Sequence, residues 1–266
     1  MINLDCENIE ETNQNISAFR SHWRRWLLIS VSIFVCFCTI LWAWIYFSLP
    51  DTIKLKTNNP TSTSLMEQRS EEALKTGKKL QIRQYWISFR DIPDLLKKTI
   101  RISEDANFYF HKGIDYDELK EAIKKNWEEG TFARGGSTIT QQLAKNLYLS
   151  TKKSFFRKIE EYFIARRLED NLSKNRIFEL YLNVIEFGSG IFGVEAAARY
   201  YFGKNVADLN LEEIIRLTAI IPRPLSISAN GKSRWLLWRC RWIAGKLLLY
   251  KYIDQATYAE LMLKFS

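Results

Sequence analysis

Apolar and polar positions divide the chain into clearly different stretches. The run from Trp26 to Leu49 contains no charged residue and no proline. A helix rises about 1.5 Å per residue, so this run is long enough to cross a hydrocarbon core of about 30 Å. Trp26 lies at one end, while Trp42, Trp44 and Tyr46 lie toward the other, as in the aromatic belts of membrane proteins. We therefore expect a transmembrane helix rather than a buried core helix.

The chain after Ile92 has the period of amphipathic helices. In the segment STITQQLAKNLYL, an apolar stripe with i, i+4, i+8 spacing is formed by Ile139, Leu143 and Leu147. The opposite face carries Thr138, Gln141, Gln142 and Lys145. Thr138 and Gln141 also have the spacing of a capping box. Strand signals are scarce and centre on Gln81–Phe89, which predicts a mainly α-helical domain.

These patterns predict the domain organisation. Residues 1–25 are polar and form a tail, and residues 26–49 form the membrane helix. Residues 50–80 are rich in Thr, Ser, Asn and Lys, so we interpret them as a stalk. Residues 81–266 form the folded domain, which ends in a short helical tail.

The net charge of the chain indicates which class of molecule it binds. The formal net charge is +9, which favours an anionic partner such as nucleic acid, a membrane surface or an anionic substrate. No Cys/His ligand spacing or RNA-binding signature supports nucleic acid. Arg24 and Arg25 directly precede the apolar run, which favours an N-terminus inside the cell and a domain outside the cytoplasm.

Five motifs in the C-terminal part carry a resemblance to a known family. In chain order they are SEDANFYFHKGID, GGSTITQQLAKN, RKIEEYFIARRLE, RIFELYLN and GIFGVEAAARYYFG. Together they resemble the motifs of the peptidoglycan glycosyltransferases, over about residues 82 to 230. Five ordered motifs are far more specific than a single short pattern. One anchor, one domain and a short tail resemble the monofunctional members of that family.

The resemblance implies a fold and an activity. The fold would be the lysozyme-like helical glycosyltransferase domain. The activity would be polymerisation of lipid II, with inversion from an α-linked donor to a β-1,4-linked glycan and release of polyprenyl pyrophosphate. A sugar hydroxyl is a poor nucleophile near neutral pH, so this chemistry needs a positioned carboxylate base. The pyrophosphate leaving group needs cations and hydrogen-bond donors.

The same resemblance assigns two glutamates. Glu104 matches the first catalytic glutamate of the family, the base on the acceptor hydroxyl. Glu161 matches the second, and its neighbour Glu160 does not. We expect Glu161 to assist departure of the leaving group or to position the donor. On composition alone, Glu104 would equally suit a solvated helix face.

The remaining motif positions form two groups. Substrate binding is expected from Asp105, Ser137, Thr138, Gln141, Gln142, Lys145, Asn146, Lys153, Arg157 and Lys158. Asp105 is also interpreted as an orienting residue. A structural role in the motifs is expected from Phe108, His111, Gly113, Gly136, Tyr181, Asn183 and Gly193.

The sequence also predicts partners and leaves alternatives. We expect lipid II, a lipid-linked glycan strand, the inner membrane and other cell-wall synthesis and division proteins as partners. No tightly bound cofactor or fixed metal is expected, although Mg²⁺ or Mn²⁺ would assist. The fragments STKK, SAN and KTG occur in the wrong order for a penicillin-binding site, so no transpeptidase activity is expected. A lysozyme-like glycan-cleaving enzyme and a non-enzymatic membrane scaffold remain as alternatives.

Overall fold

The structure, a computed structural model, describes residues 23–40, 42, 43, 47, 49–129, 136–150 and 154–266. It divides into two units, residues 1–49 and residues 50–266. In the first unit, helix α1 (Trp23–Ile40) is long and apolar enough to cross a membrane, and none of it is buried. Positions 41, 44–46 and 48 of the predicted span lie outside the described residues.

The second unit is mainly helical, as the sequence predicts. Its helices are α2 (Ser64–Lys75), α3 (Asp94–Glu104), α4 (Tyr116–Glu129), α5 (Ile139–Tyr148), α6 (Phe155–Asn171), α7 (Lys174–Val184), α8 (Val194–Phe202), α9 (Leu211–Ile220), α10 (Arg234–Leu249) and α11 (Gln255–Lys264). Two short 3-10 helices occur at Ile53–Lys56 and Val206–Asp208.

Helices α3 and α5 position the site because each is packed on two sides. Helix α5 packs against α6 and α7, and α3 packs against α9 and α10. The predicted apolar stripe of α5, which is Ile139, Leu143 and Leu147, is buried. On the polar face, Thr138 and Gln141 are buried as well, whereas Gln142 and Lys145 remain partly accessible.

A small sheet closes one side of the unit. Strand β1 (Arg83–Gln84) pairs in parallel with β3 (Ile191–Phe192), and β3 pairs antiparallel with β2 (Glu186–Gly188). The predicted strand Gln81–Phe89 is therefore shorter than expected. Gly193 has φ +81°, and a Cβ there would lie 2.6 Å from the carbonyl oxygen of Asn183. This position requires glycine because both the backbone angle and the close approach exclude a side chain.

The segment predicted as a stalk is instead part of the folded unit. Thr63 caps α2 by accepting a hydrogen bond from Met66 N, and Leu65 and Met66 are buried against Phe192. Arg69 donates two hydrogen bonds to Glu186, Nε to Oε1 at 2.8 Å and Nη2 to Oε2 at 2.9 Å. The stalk prediction fails because the many polar residues form the solvent face of a packed helix, which composition does not distinguish from a linker.

Candidate active site

The carboxylate of Glu104 is held through both of its oxygens. Glu104 ends α3, and its side chain is 9% exposed. Nε2 of Gln142 on α5 donates to Oε2 at 3.1 Å. Nη2 of Arg239 on α10 donates to Oε1 at 3.3 Å and also to Ser103 Oγ at 3.0 Å. Two helices therefore fix the orientation of this carboxylate.

Tyr181 fixes which atom of Gln142 faces Glu104. Its hydroxyl donates to Gln142 Oε1 at 3.0 Å. Burial, together with the charges of Glu104 and Asp105, holds the pKa of Tyr181 well above its usual value, so the hydroxyl remains a donor. Because Oε1 of the amide accepts from Tyr181, its NH₂ group is directed to the carboxylate.

Asp105 joins the end of α3 to the start of α5. His111 Nε2 lies 2.9 and 3.0 Å from its two carboxylate oxygens, and the backbone N–H of Ile139 donates to Oδ2 at 3.0 Å. The side chain of Asp105 is only 1% exposed. The structure thus gives Asp105 the geometry of a positioning residue and leaves no open face for the substrate contact that the sequence predicts.

The polar side chains at the start of α5 form hydrogen bonds with the backbone of the helix terminus. The predicted capping box is confirmed: Thr138 Oγ1 accepts from Gln141 N at 3.2 Å, and Gln141 Oε1 accepts from Thr138 N at 3.0 Å. Thr138 also donates to the carbonyl oxygen of Gly113 at 2.6 Å. Both side chains are buried and order the helix terminus. Gln141 also lines a cavity of about 380 Å³ together with Lys158, so its contact with substrate stays a prediction.

Glu161 is paired with two cations. Nη1 of Arg157 lies 2.9 Å from its Oε2, and Nζ of Lys158 contacts its Oε1. The side chain of Glu161 is 4% exposed, whereas its neighbour Glu160 is exposed. Lys158 also donates to Ser137 Oγ at 3.0 Å. The geometry makes Glu161 a carboxylate that holds two cations at the site.

A cleft lies beside these groups, and we call it the Lys145 cleft. Its volume is about 320 Å³. Its polar lining is Gln142, Lys145, Asn146, Arg157, Arg69 and Glu186. Burial lowers the pKa of Lys145, and the negative charge of Glu161 opposes that effect. A buried cation attracts an anion more strongly than an exposed one because the surroundings screen it less.

Two of the motif residues predicted as structural, Asn183 and Phe108, have contacts of that kind. Asn183 Nδ2 donates to the carbonyl oxygens of Ile87 and Glu179, at 2.9 and 2.8 Å, and its Oδ1 accepts from Ile87 N. Phe108 is fully buried, and Lys174 Nζ lies 4.4 Å from its ring centroid. The predicted substrate contact Lys153 lies outside the described residues.

Sequence reasoning missed three residues of this site. Arg239 lies on α10, beyond the five motifs, and no spacing in the sequence connects it to Glu104. Arg69 lies in the segment predicted as a stalk, and Glu186 lies between two motifs. An arginine in an amphipathic pattern was the only signal for Arg69, and many solvent-facing arginines show the same signal.

Among the described residues, one group of side chains brings three potential metal ligands together. Ligand atoms of Asp105, His111 and Asp115 lie within 4.8 Å of one another. Asp115 Oδ1 already accepts the N–H groups of residues 117 and 118, and its Oδ2 accepts from Asn107 Nδ2. The oxygens of Asp105 likewise lie next to donors, so the carboxylates of this group already form a hydrogen-bonded scaffold. Assistance by a divalent cation stays a prediction.

Known proteins are similar to this chain over the part that contains the site. The family model described as transglycosylase matches residues 70–247. A biosynthetic peptidoglycan transglycosylase of Nitrosospira multiformis is 38% identical over 225 residues, which cover 85% of this chain and 96% of the relative. One of Dechloromonas aromatica is 41% identical over 214 residues, covering 80% and 84%. One of Herminiimonas arsenicoxydans is 46% identical over 167 residues, covering 63% and 72%.

Proposed function

From the membership of this chain in the transglycosylase family, we propose that it polymerises lipid II into β-1,4-linked glycan strands of peptidoglycan. Polyprenyl pyrophosphate is released at each transfer. The observation that carries the proposal is the carboxylate of Glu104, which is fixed from both sides at the edge of a cationic cleft. The names of the relatives agree with this activity.

In the proposed reaction, Glu104 is the general base. Its carboxylate takes the proton of the acceptor 4-hydroxyl as that oxygen attacks the anomeric carbon of the donor. The bond from that carbon to the pyrophosphate oxygen breaks on the opposite face, so an α-linked donor gives a β-linked product. Gln142 and Arg239 hold the carboxylate in one orientation, which lowers the entropic cost of reaching the transition state.

The leaving pyrophosphate is stabilised in the Lys145 cleft. Lys145 and Arg157 line this cleft, and Lys158 lies next to Arg157 through their shared contact with Glu161. Charge-assisted hydrogen bonds to phosphate oxygens are among the strongest that proteins form. Glu161 keeps Arg157 and Lys158 in place and is itself too enclosed by them to act as a second base.

The experiment is polymerisation of labelled lipid II by the detergent-purified chain, followed by sizing of the product. Glu104→Gln should keep the fold and reduce polymer formation by at least ~10²-fold, a typical contribution of a general base. Glu212→Gln, on α9, is the matched control and should behave like the wild type. Near-normal polymerisation by Glu104→Gln would show that Glu104 is not the general base. Cleavage of preformed wall without polymerisation would favour the lytic alternative, and no activity on either substrate would favour the scaffold.

We propose that helix α1 anchors the chain in the bacterial inner membrane. Arg24 and Arg25 lie in its first turn and support an N-terminus on the cytoplasmic side. The folded unit would then meet lipid II, the lipid-linked strand and other cell-wall synthesis proteins at the outer face. Protease added to intact spheroplasts should digest the folded unit. Protection of the folded unit from the protease would indicate the opposite orientation.

A further inference from the structure

Two carboxylates act on Lys145 without forming an ion pair with it. Burial lowers the pKa of Lys145, and the charges of Glu161 and Glu186 act in the opposite direction. Among the residues that the structure describes, however, no carboxylate is paired with its Nζ. Glu161 is instead bound by Arg157, on the same helix. Glu186 is bound by a cation from a different part of the chain.

This cation is Arg69, which binds the carboxylate of Glu186 through both oxygens. Its Nε lies 2.8 Å from Oε1, and its Nη2 lies 2.9 Å from Oε2. The remaining nitrogen, Nη1, donates to Glu72 at 2.9 Å. The side chain of Glu186 is 5% exposed and that of Arg69 is 19% exposed, so water has little access to the pair. A bidentate pair fixes the direction of the carboxylate as well as neutralising its charge.

Helix α2 holds Arg69 in this place. The neighbouring side chain, Gln68, donates through Nε2 to the carbonyl oxygen of Leu149, which follows α5, at 3.0 Å. Leu65 lies one turn before Arg69, is buried, and lines the Lys145 cleft together with it. One turn of α2 therefore forms part of the wall of the cleft and directs a guanidinium to Glu186.

Without Arg69, the charge of Glu186 would need another partner. A buried carboxylate that has lost its cation is strongly unfavourable. Lys145 lines the same cleft and is the cation that Glu186 would attract. An ion pair between these two side chains would occupy the charge that the proposed reaction uses for the leaving pyrophosphate.

We propose that Arg69 is a positioning residue for the donor: by binding Glu186, it keeps Lys145 available for the pyrophosphate. The inference rests on the proposed function and gives the segment between the anchor and the motifs a part in the reaction. Arg69 acts through Glu186 and not on the substrate. Because the two charges cancel in the pair, removal of either charge alone should change the affinity of the cleft for an anion in opposite directions.

The test measures binding of inorganic pyrophosphate to the full-length chain in neutral detergent by calorimetry. For Arg69→Met we expect Kd to rise about tenfold, since Glu186 then competes for Lys145. For Glu186→Gln we expect Kd to fall about three- to tenfold, because a negative charge leaves the cleft. The double variant Arg69→Met/Glu186→Gln should return Kd to near the wild-type value. It should also recover the polymerisation of labelled lipid II that Arg69→Met loses.

Arg176→Met is the matched control. Arg176 also pairs with a glutamate, Glu179 at 3.1 Å, and its side chain is 14% exposed, but it does not line the Lys145 cleft. This variant should bind pyrophosphate like the wild type, whatever its Tm. A rise in Kd for Arg176→Met equal to that for Arg69→Met would show a general effect of losing an ion pair and would overturn the inference.

The sign of the effect of Glu186→Gln separates positioning from a purely structural role. If the pair only stabilised the fold, both single variants would weaken binding and lower Tm together, and this result would overturn the inference. An unchanged Kd in an Arg69→Met chain with a normal Tm would overturn it as well. If Arg69→Met does not fold, Glu186→Gln still decides, since tighter binding supports the inference and weaker binding contradicts it.

Failure of the proposed function gives a different result. A wild-type chain that polymerises lipid II but does not bind pyrophosphate would overturn this inference alone. A wild-type chain that forms no polymer would overturn the proposed function, and the role of Arg69 in the reaction with it.

Discussion

Nη2 of Arg239 lies 3.3 Å from Oε1 of Glu104, although 135 residues separate the two in the chain. Burial lowers the pKa of this arginine, while the charge of Glu104 opposes that effect. The same Nη2 also donates to Ser103 Oγ, so one guanidinium fixes both the proposed base and the residue before it. Arg239 is thus a positioning residue that the C-terminal part of the domain supplies.

Replacing Arg239 should affect both the reaction and the fold, and a conservative variant separates the two effects. Arg239→Met retains the length of the side chain but removes both hydrogen bonds, and we expect kcat for lipid II polymerisation to fall about 10- to 100-fold. Tm should also fall, because the buried carboxylate of Glu104 loses its cationic partner. Arg239→Lys keeps the charge and should restore part of both the activity and the Tm, since it can donate to one of the two oxygens. A lysine variant that regains the wild-type Tm but no activity, or a methionine variant with normal kcat, would contradict the positioning role.

The two adjacent glutamates of α6 offer a matched pair. Glu161→Gln breaks the contacts with Arg157 and Lys158, so polymerisation should fall at least ~10-fold and the free energy of unfolding should fall by about 1–3 kcal/mol. Glu160→Gln changes an exposed carboxylate and should have neither effect. Denaturant unfolding and polymer sizing measure the two quantities. Similar behaviour of both variants would show that the buried pairing does not matter to the site.

Removal of two different tyrosine hydroxyls should distinguish an effect on stability from an effect on activity. Tyr181→Phe leaves Gln142 Oε1 without its donor, which should cost about 1–3 kcal/mol and let the amide turn away from Glu104. Polymerisation should therefore fall about tenfold. Tyr201→Phe removes a comparable hydrogen bond to the carbonyl oxygen of Phe187, where burial raises the pKa of Tyr201 to about 12. That variant should lose stability and keep activity, and loss of activity in both would argue for a general packing effect.

Burial of Lys145 should lower the free energy of unfolding while its charge serves the reaction, and the loss of stability should depend on pH. Its pKa is lower in the folded chain than in the unfolded chain, so between the two values the unfolded chain binds more protons. The free energy of unfolding therefore contains a penalty at neutral pH that is relieved as pH rises through this window. Lys145→Met should be more stable than the wild type at pH near 7, with a difference that shrinks at alkaline pH, and should lose at least ~10-fold in polymerisation.

Denaturant unfolding from neutral to alkaline pH measures this difference. Lys264→Met is the control, because Lys264 is 55% exposed and pairs with Glu212 at 3.7 Å. A wild type that is more stable than Lys145→Met at neutral pH would contradict the burial penalty.

The start of the folded unit can be tested by truncation. A chain beginning at Asp51 retains α2 and should unfold at a Tm close to that of the full chain. A chain beginning at Gln81 loses Leu65 and Met66 from the packing on Phe192, at about 1.5–3 kcal/mol for each, and leaves Glu186 without Arg69. We expect it to be strongly destabilised or insoluble. Equal Tm values for the two truncations would support the original stalk interpretation.

The sequence by itself determined the local features. Helix periods, the capping box of Thr138 and Gln141, the apolar span and the glutamates of the motifs depend on residues a few positions apart. Such patterns are set by backbone geometry and by hydrogen bonds at helix ends, so they can be read without the fold. Gly193 is similar, since its motif position already predicts a structural role.

The tertiary structure alone decided which polar groups remain available. Thr138 and Gln141 have the spacing of a cap in the sequence, and the tertiary structure adds that both are buried against distant residues such as Gly113. The Arg69–Glu186 and Arg239–Glu104 pairs join residues 117 and 135 positions apart, so no local pattern contains them. Packing of α2 and α10 against distant helices brings these charges together, and burial gives each carboxylate a specific cationic partner, because an unpaired buried charge would be strongly unfavourable.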